Sequence, residues 1–229
     1  MDTKQVVAYT DGACEPNPGP GGVGVVLLFK GARREVSQGF RVTTNNRMEI
    51  TAAILALLAL KEPCRVTLHS DSKYLVDSMT KGAVSKWAEA GWKRSNGKRV
   101  PNSDLWETLI GLCKLHEVEF AWVRGHSGDP GNERADTLSY AAFAGLDLED
   151  DIGYLRALEA KAEVPSRITN EGQPCRKCST PVIRKIPKRS HKPGQAYYFE
   201  YYLLCPSCGT MYMVEDAKRY FSLEESGHA

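Results

Sequence analysis

Val6-Val7-Ala8-Tyr9-Thr10-Asp11-Gly12 is a β-branched and aromatic run that stops on a carboxylate, followed by Ala13-Cys14-Glu15-Pro16-Asn17-Pro18-Gly19. Residues 6–10 read as a buried strand and Asp11-Gly12 as its turn. Residues 22–29 and 36–42 read as two further strands joined by Lys30-Gly31-Ala32, which makes a three-stranded meander. In 46–60, Met48, Ile50, Ile54, Leu55, Leu57 and Leu58 recur at helical spacing, and Pro63 follows the stop. Residues 65–70 then read as a strand and 72–79 as a helix opened by Asp71-Ser72. A basic loop fills 81–102, and a helix over 103–115 has Ser103 or Asp104 as its cap. A strand over 118–123 and a helix over 132–144 close the region. This order, β-β-β-α-β-α-α-β-α, predicts an α/β fold with a mixed five-stranded sheet and helices packed on its faces.

The 229 residues are 42% hydrophobic and 25% charged, enough for one or two domains with real cores. No apolar run approaches the roughly 20 residues that span a bilayer. Met1-Asp2-Thr3-Lys4 leads straight into the first strand, so a cytoplasmic protein without membrane contact is expected. With no dimerising heptad or exposed apolar stripe in view, the expected state is a monomer. The net charge is only +2, but two stretches are basic. One holds Lys81, Lys86, Lys93, Arg94, Lys98 and Arg99 against Glu89; the other, 176–192, holds no acid. Such clusters fit a nucleic-acid binder or, taken singly, solvated loops.

Four short segments place carboxylates at predicted element ends: Asp11, Glu49 in Asn45-Asn46-Arg47-Met48-Glu49, Asp71 in Ser70-Asp71-Ser72, and Asp136 in Asn132-Glu133-Arg134-Ala135-Asp136. Singly, each reads as a turn or cap residue or as decoration of a helix face. Together, acids embedded among core-facing residues are costly to ionise unless they share a metal. Hard oxygens suit magnesium or manganese better than zinc.

The segments Tyr9–Gly19 (quoted above), Thr43-Thr44-Asn45-Asn46-Arg47-Met48-Glu49, Ser70-Asp71-Ser72-Lys73-Tyr74, Trp122-Val123-Arg124-Gly125-His126 and Gly131-Asn132-Glu133-Arg134-Ala135-Asp136 resemble, in order and spacing, the bacterial type 1 ribonuclease H family. The resemblance covers roughly 5–144 and implies hydrolysis of the RNA strand of RNA–DNA hybrids with two Mg2+ ions, Mn2+ being an alternative. It implies that Asp11, Glu49, Asp71 and Asp136 are the metal ligands and that His126 aids proton movement or product release. Cys14, Asn17, Thr44, Asn45 and Asn46 fall at hybrid-contacting positions, where Asn can both donate to and accept from a 2′-hydroxyl. The same asparagines are also ordinary turn residues. Lys73 stands where the family often has glutamine, and favours phosphate. Lys86, Trp87, Lys93 and Lys98 belong to a stretch resembling the family's basic protrusion, although Gly82-Ala83-Val84 replaces a tryptophan often found at its start. Trp87 and Trp92 contact DNA sugars or merely anchor the protrusion. Rival readings are a DNA-acting nuclease or strand-transfer enzyme on the same fold, and a hybrid-binding module.

The tail lies outside that resemblance. Expected domains are a catalytic region over 1–145, an acidic linker over 146–171 with one short helix at 154–162, and a small unit over 172–229. Cys175-x2-Cys178 and Cys205-x2-Cys208 have the spacing of two zinc-ribbon knuckles for one structural Zn2+, with four reduced thiols or two disulfides as the alternatives. A hairpin-like strand at 197–204 and the basic loop suggest a grip on nucleic acid, with protein docking as the other possibility.

Overall fold

A computed structural model describes residues 3–162, 167–187 and 196–220. The chain divides into two compact units, the first made of the residues up to Arg94 and Arg99–Ala157, the second of Ser95–Lys98 and the residues from Leu158 on. In the first, β1 (Lys4–Cys14), β2 (Gly19–Phe29) and β3 (Ala32–Thr43) form the meander. There follow α1 (Asn45–Leu58), β4 (Cys64–Ser70), α2 (Lys73–Thr80), α3 (Ala83–Glu89), α4 (Ser103–Cys113), β5 (Glu117–Trp122) and α5 (Pro130–Ala144). After these come β6 (Leu148–Glu149) and α6 (Ile152–Ala162). The sheet order is β5-β4-β1-β2-β3-β6. β1 runs antiparallel to β2 and parallel to β4, so the sheet is mixed, as expected.

Several local expectations shift. β1 does not stop at Asp11: Gly12, Ala13 and Cys14 stay paired with Val23, Gly22 and Gly21, and the turn comes after them. The basic stretch contains a helix, α3, because Val84 and the indoles of Trp87 and Trp92 pack against the core. The cap of α4 is Asn102, in the left-handed region at φ 58°, and not Ser103 or Asp104. Ser103 accepts instead from Arg99, and Asp104 from Arg47.

The five expected strands gain a sixth, β6, which pairs with β3 through Gly39 and Phe40. The acidic stretch that reads as linker is therefore folded where it begins. Its acids have a partner: Asp151, 7% exposed, accepts from the Nε and Nη2 of buried Arg47 and from Thr43 Oγ1. Burial works against the Arg47 guanidinium, and the hydrogen bonds it donates to Asp104 and Asp151 outweigh it.

The core of this unit lies where α1 covers the sheet and α4 packs on α1, around Met48, Ile50, Leu57, Leu68, Leu75, Trp106 and Leu109. The second unit has a three-stranded sheet of β10 (Met211–Met213), β9 (Tyr202–Leu204) and β7 (Ile183–Lys185). A two-stranded ribbon pairs β11 (Lys218–Tyr220) with β8 (Tyr197–Phe199). The single strand expected at 197–204 is thus two strands in different sheets, parted at Glu200 and Tyr201; Glu200 N–H donates to the Ala217 carbonyl, one step past the Phe199–Lys218 pair, and the chain then leaves β11 for the other sheet. The basic residues Lys188, Arg189 and Lys192 lie outside the described residues. No helix among the described residues is long and apolar enough to cross a membrane.

Candidate active site

The parallel register of β1 on β4 sets Lys4 opposite Cys64 and Tyr9 opposite His69. Carried two residues further, it puts Asp11 level with Asp71, which follows β4 directly. Two glycines let the helices in. A Cβ on Gly12 would lie 2.2 Å from the Glu49 backbone nitrogen, so α1 crosses β1 there and delivers Glu49 beside Asp11. A Cβ on Gly24 would lie 1.9 Å from the Ala135 carbonyl oxygen, so α5 rides on β2 next to Asp136.

Carboxylate oxygens of Asp11, Glu49 and Asp71 all lie within 4.8 Å of one another. Asp11 and Glu49 are 6% and 7% exposed. Burial pushes the Asp11 carboxyl up to about 6; the Ser139 hydroxyl opposes this, and Asp71 and Asp136 add to it. Burial, then Asp11 and Asp71, push Glu49 well above the usual carboxylate range. Glu49 Oε1 is 3.4 Å from Asn45 Nδ2, while the buried Oε2 has no protein partner. Three mutually repelling acids around an unmatched oxygen are the donor set of a hard divalent cation.

Asp136 is not part of that tight group. It sits on α5, half-buried, raised by burial and by Glu133 and Asp71, and lowered by His126. His126 is exposed in the loop after β5, with a backbone φ of 51°.

The loop flanking the acids is tied together locally. Asn45 N–H donates to Asn17 Oδ1 at 3.2 Å, and Cys14 Sγ lies 3.3 Å from the Pro16 carbonyl and 3.5 Å from that of Thr43. Thr44 caps α1 without a side-chain bond, and Asn46 is exposed. Lys73 Nζ lies 5.0 Å from the centre of the Trp122 ring, a cation–π contact. Lys86, Lys93 and Lys98 are exposed; Trp87 is half-buried against the core, 6.2 Å from Trp106.

Three further side chains support the acids, and of these only Ser139 lies outside the quoted motifs. Ser139, one turn beyond Asp136, donates its hydroxyl to Asp11 Oδ2. Asn132 Nδ2 donates to Asp71 Oδ2 at 3.3 Å, and Trp122 Nε1 to the Asp71 carbonyl at 3.1 Å. A polar residue on the inward face of a helix was the only available signal for Ser139. In the second unit, the sulfurs of Cys175, Cys178, Cys205 and Cys208 come within 4.8 Å of one another.

The RNase H family model matches residues 3–144. Ribonuclease H of Syntrophus aciditrophicus is 56% identical over 151 residues, covering 66% of this chain and 87% of its own length. Ribonuclease H of Desulforamulus reducens is 52% identical over 149 residues, covering 65% and 94%. A solved structure of LC9-RNase H1, described as a type 1 RNase H with the type 2 active-site motif, is similar with a TM-score of 0.58 and 36% identity, covering 69% of this chain and 82% of that one. Acids gathered by the β1–β4 register, on a chain matched this far, make the conclusion direct: the chain belongs to the ribonuclease H family.

Proposed function

We propose that this chain is an endoribonuclease that hydrolyses the RNA strand of RNA–DNA hybrids, with Asp11, Glu49, Asp71 and Asp136 as ligands for two Mg2+ ions. The observation that carries the reading is the trio of buried Asp11, buried Glu49 and half-buried Asp71, left with an unpaired Glu49 oxygen inside an RNase H fold. Bound divalent cations supply Lewis acidity, lowering the pKa of a water and stabilising the departing oxygen. The chain's own groups do the rest. Ser139 and Asn132 orient Asp11 and Asp71. His126, facing Asp136 from an exposed loop, is free to move a proton or follow the product out. Asn17, Asn45 and Asn46 line the approach with groups that donate and accept, which a 2′-hydroxyl requires. Exposed Lys86, Lys93 and Lys98 meet phosphates, while Trp87, packed on the core, braces the protrusion. Lys73 and Trp122, stacked on one another, bring charge and an exposed ring to the Asp71 side of the site. The second unit adds a grip on nucleic acid rather than a second catalytic centre.

A cleavage panel tests this. In Mg2+ the chain should cut the RNA of a hybrid and leave double-stranded DNA and double-stranded RNA intact. Cutting of DNA would favour a DNA-acting nuclease, and binding of hybrid without cleavage would favour a binding module. Deleting 172–229 should weaken hybrid binding at moderate salt and spare cleavage. Unchanged affinity would point to protein docking.

A further inference from the structure

The second unit contains two copies of one small device. Cys175-Arg176-Lys177-Cys178-Ser179-Thr180 and Cys205-Pro206-Ser207-Cys208-Gly209-Thr210 share the pattern Cys-x2-Cys-x-Thr. They also share a fold. Cys175 N–H donates to the Thr180 carbonyl and Cys205 N–H to that of Thr210, each at 2.9 Å. Ser179 and Gly209 N–H donate back to the carbonyls of Cys175 and Cys205, at 2.7 and 3.0 Å. The residue after the second cysteine is left-handed in both, at φ 61° for Ser179 and 70° for Gly209. Each turn therefore points two sulfurs the same way, and the turns face each other.

The four sulfurs have the spacing of ligands rather than of bonded or independent thiols. All four cysteines are free. Across the turns, Cys178 Sγ is 3.3 Å from Cys205 Sγ, and Cys175 Sγ is 3.6 Å from Cys208 Sγ. A tetrahedral tetrathiolate with metal–sulfur bonds of about 2.3 Å has edges of about 3.8 Å. Further polar groups surround the sulfurs. Thr180 Oγ1 is 3.4 Å from Cys178 Sγ, Thr210 Oγ1 is 3.1 Å from Cys208 Sγ, and Lys177 N–H donates to Cys175 Sγ at 3.4 Å. Tyr212 is the most telling. Its phenol oxygen accepts from Arg176 N–H at 2.9 Å and lies 3.1 Å from Cys175 Sγ, so its own proton is available to the sulfur. Lys177 N–H donating to Cys175, beside the Tyr212 and Thr210 hydroxyls that can each turn a proton toward sulfur, suits thiolates, which need donors, better than neutral thiols.

Packing argues the same way. The described core of this unit is Ile168, Cys175, Val182, Leu203, Cys205, Val214 and Ala217, so two of its seven buried members are the cysteines themselves. Strands of three residues on so small a core need a staple.

We infer that Cys175, Cys178, Cys205 and Cys208 hold one structural Zn2+, and that Tyr212 is a positioning residue which steadies the site by donating its phenol proton to the Cys175 thiolate. Soft sulfur donors in a four-coordinate cage select zinc over magnesium, and with all four positions filled by protein the ion has no open site for a catalytic water.

The test is elemental analysis of the full chain purified under reducing conditions without added metal. One zinc per chain is expected, and it should persist in Asp11→Asn, which separates it from metal at the carboxylates, but be lost in Cys205→Ser/Cys208→Ser. Replacing zinc by Co2+ should give the intense near-ultraviolet thiolate-to-metal absorption and the visible bands of a tetrahedral tetrathiolate. Tyr212→Phe should still bind one zinc but lose roughly 10-fold or more in affinity, read by competition with a chromophoric chelator. Iron in place of zinc, substoichiometric zinc in freshly reduced protein, or Co2+ spectra without thiolate bands would overturn the site. An unaltered affinity in Tyr212→Phe would overturn the role of the phenol. None of these readouts depends on hybrid cleavage, so the site can fail while the proposed activity stands, or the reverse.

Discussion

The two side-chain clusters with the donor sets of metal sites are built in opposite ways. The carboxylates Asp11, Glu49 and Asp71 sit against a core of 21 buried hydrophobic residues drawn from the sheet, α1, α2, α4 and the protrusion. The four cysteines belong to a described core of seven buried residues and supply two of them. In the first case the scaffold is strong enough to hold like charges together, at a cost visible in the raised Asp11 and Glu49 carboxyls. In the second, the apolar burial among the described residues is small, and the proposed ion does the holding. The first site is a load on a stable fold; the second is a support for an unstable one. Removing ligands from each should therefore have opposite consequences.

The largest effect is expected at the first site. Asp11→Asn should bring hybrid cleavage in Mg2+ down by at least about 10³-fold, equal to about 4 kcal/mol of transition-state stabilisation. The fold should survive, and metal-free thermal stability should stay level or rise, because a buried charge among like charges has been removed. Near-normal cleavage would end the metal-ligand assignment. A large fall in melting temperature would show that the acids support the scaffold, contrary to the comparison.

Next is removal of the ion from the second site. Stripping zinc with a strong chelator under reducing conditions should open residues 172–220 to protease while the region through Ala157 remains resistant. Protection of both regions after complete metal removal would show that the small core suffices by itself.

A third test concerns a buried charge that does support the scaffold. The side chains of Arg47 and Asp151 are 5% and 8% exposed, whereas that of Asp104 is 42% exposed. Asp151→Asn leaves the guanidinium with only its more solvated partner and should cost about 3 kcal/mol, read from the denaturant midpoint. Asp104→Asn should cost about 1 kcal/mol or less. Equal losses would mean that burial does not govern this pair of contacts.

What was legible in the sequence follows the range of the forces involved. The acids were legible because each sits in a local pattern: Asp11 closes an apolar run, Asp71 precedes Ser72, whose hydroxyl caps α2 by accepting from Leu75 N–H, and Glu49 lies in a helical stripe. Their grouping needed the family resemblance, since the β1–β4 register joins segments 60 residues apart, Tyr9 to His69. Contacts made only by tertiary packing left no such trace. Arg47 and Asp151 are 104 positions apart, and the acidic stretch around Asp151 resembles solvent-exposed linker until its partner is known. Helix α3 was hidden because its apolar side, Val84 and Trp87, is short and set among lysines. The aromatic run at 197–204 has uninterrupted strand propensity, and only the pairing of β8 with β11 and of β9 with β7 and β10 divides it.

The smallest effect is expected on the surface of the first unit, where Glu35 on β3 receives Arg134 of α5 in a two-pronged contact, Nε to Oε1 at 3.0 Å and Nη2 to Oε2 at 2.8 Å. Arg134 belongs to the helix that carries Asp136, so this pair is the exposed counterpart of the buried Arg47–Asp151 contact. The Arg134 hydrogen bond, opposed by slight desolvation and aided by Arg33, holds the Glu35 carboxyl down at about 2 against an ordinary 4.5. An acid depressed in the folded state stabilises only while it is ionised. Its contribution is complete above pH 4.5, shrinks as the pH falls, and is gone once the pH has passed below about 2. Glu35→Gln should therefore lower the denaturant midpoint slightly at pH 7, far less than Asp151→Asn, with further weakening by salt because the pair is solvated. The gap between parent and variant should narrow steadily from pH 4 downward. A gap that stayed constant through acid would assign the loss to the shape of the side chain rather than to its charge.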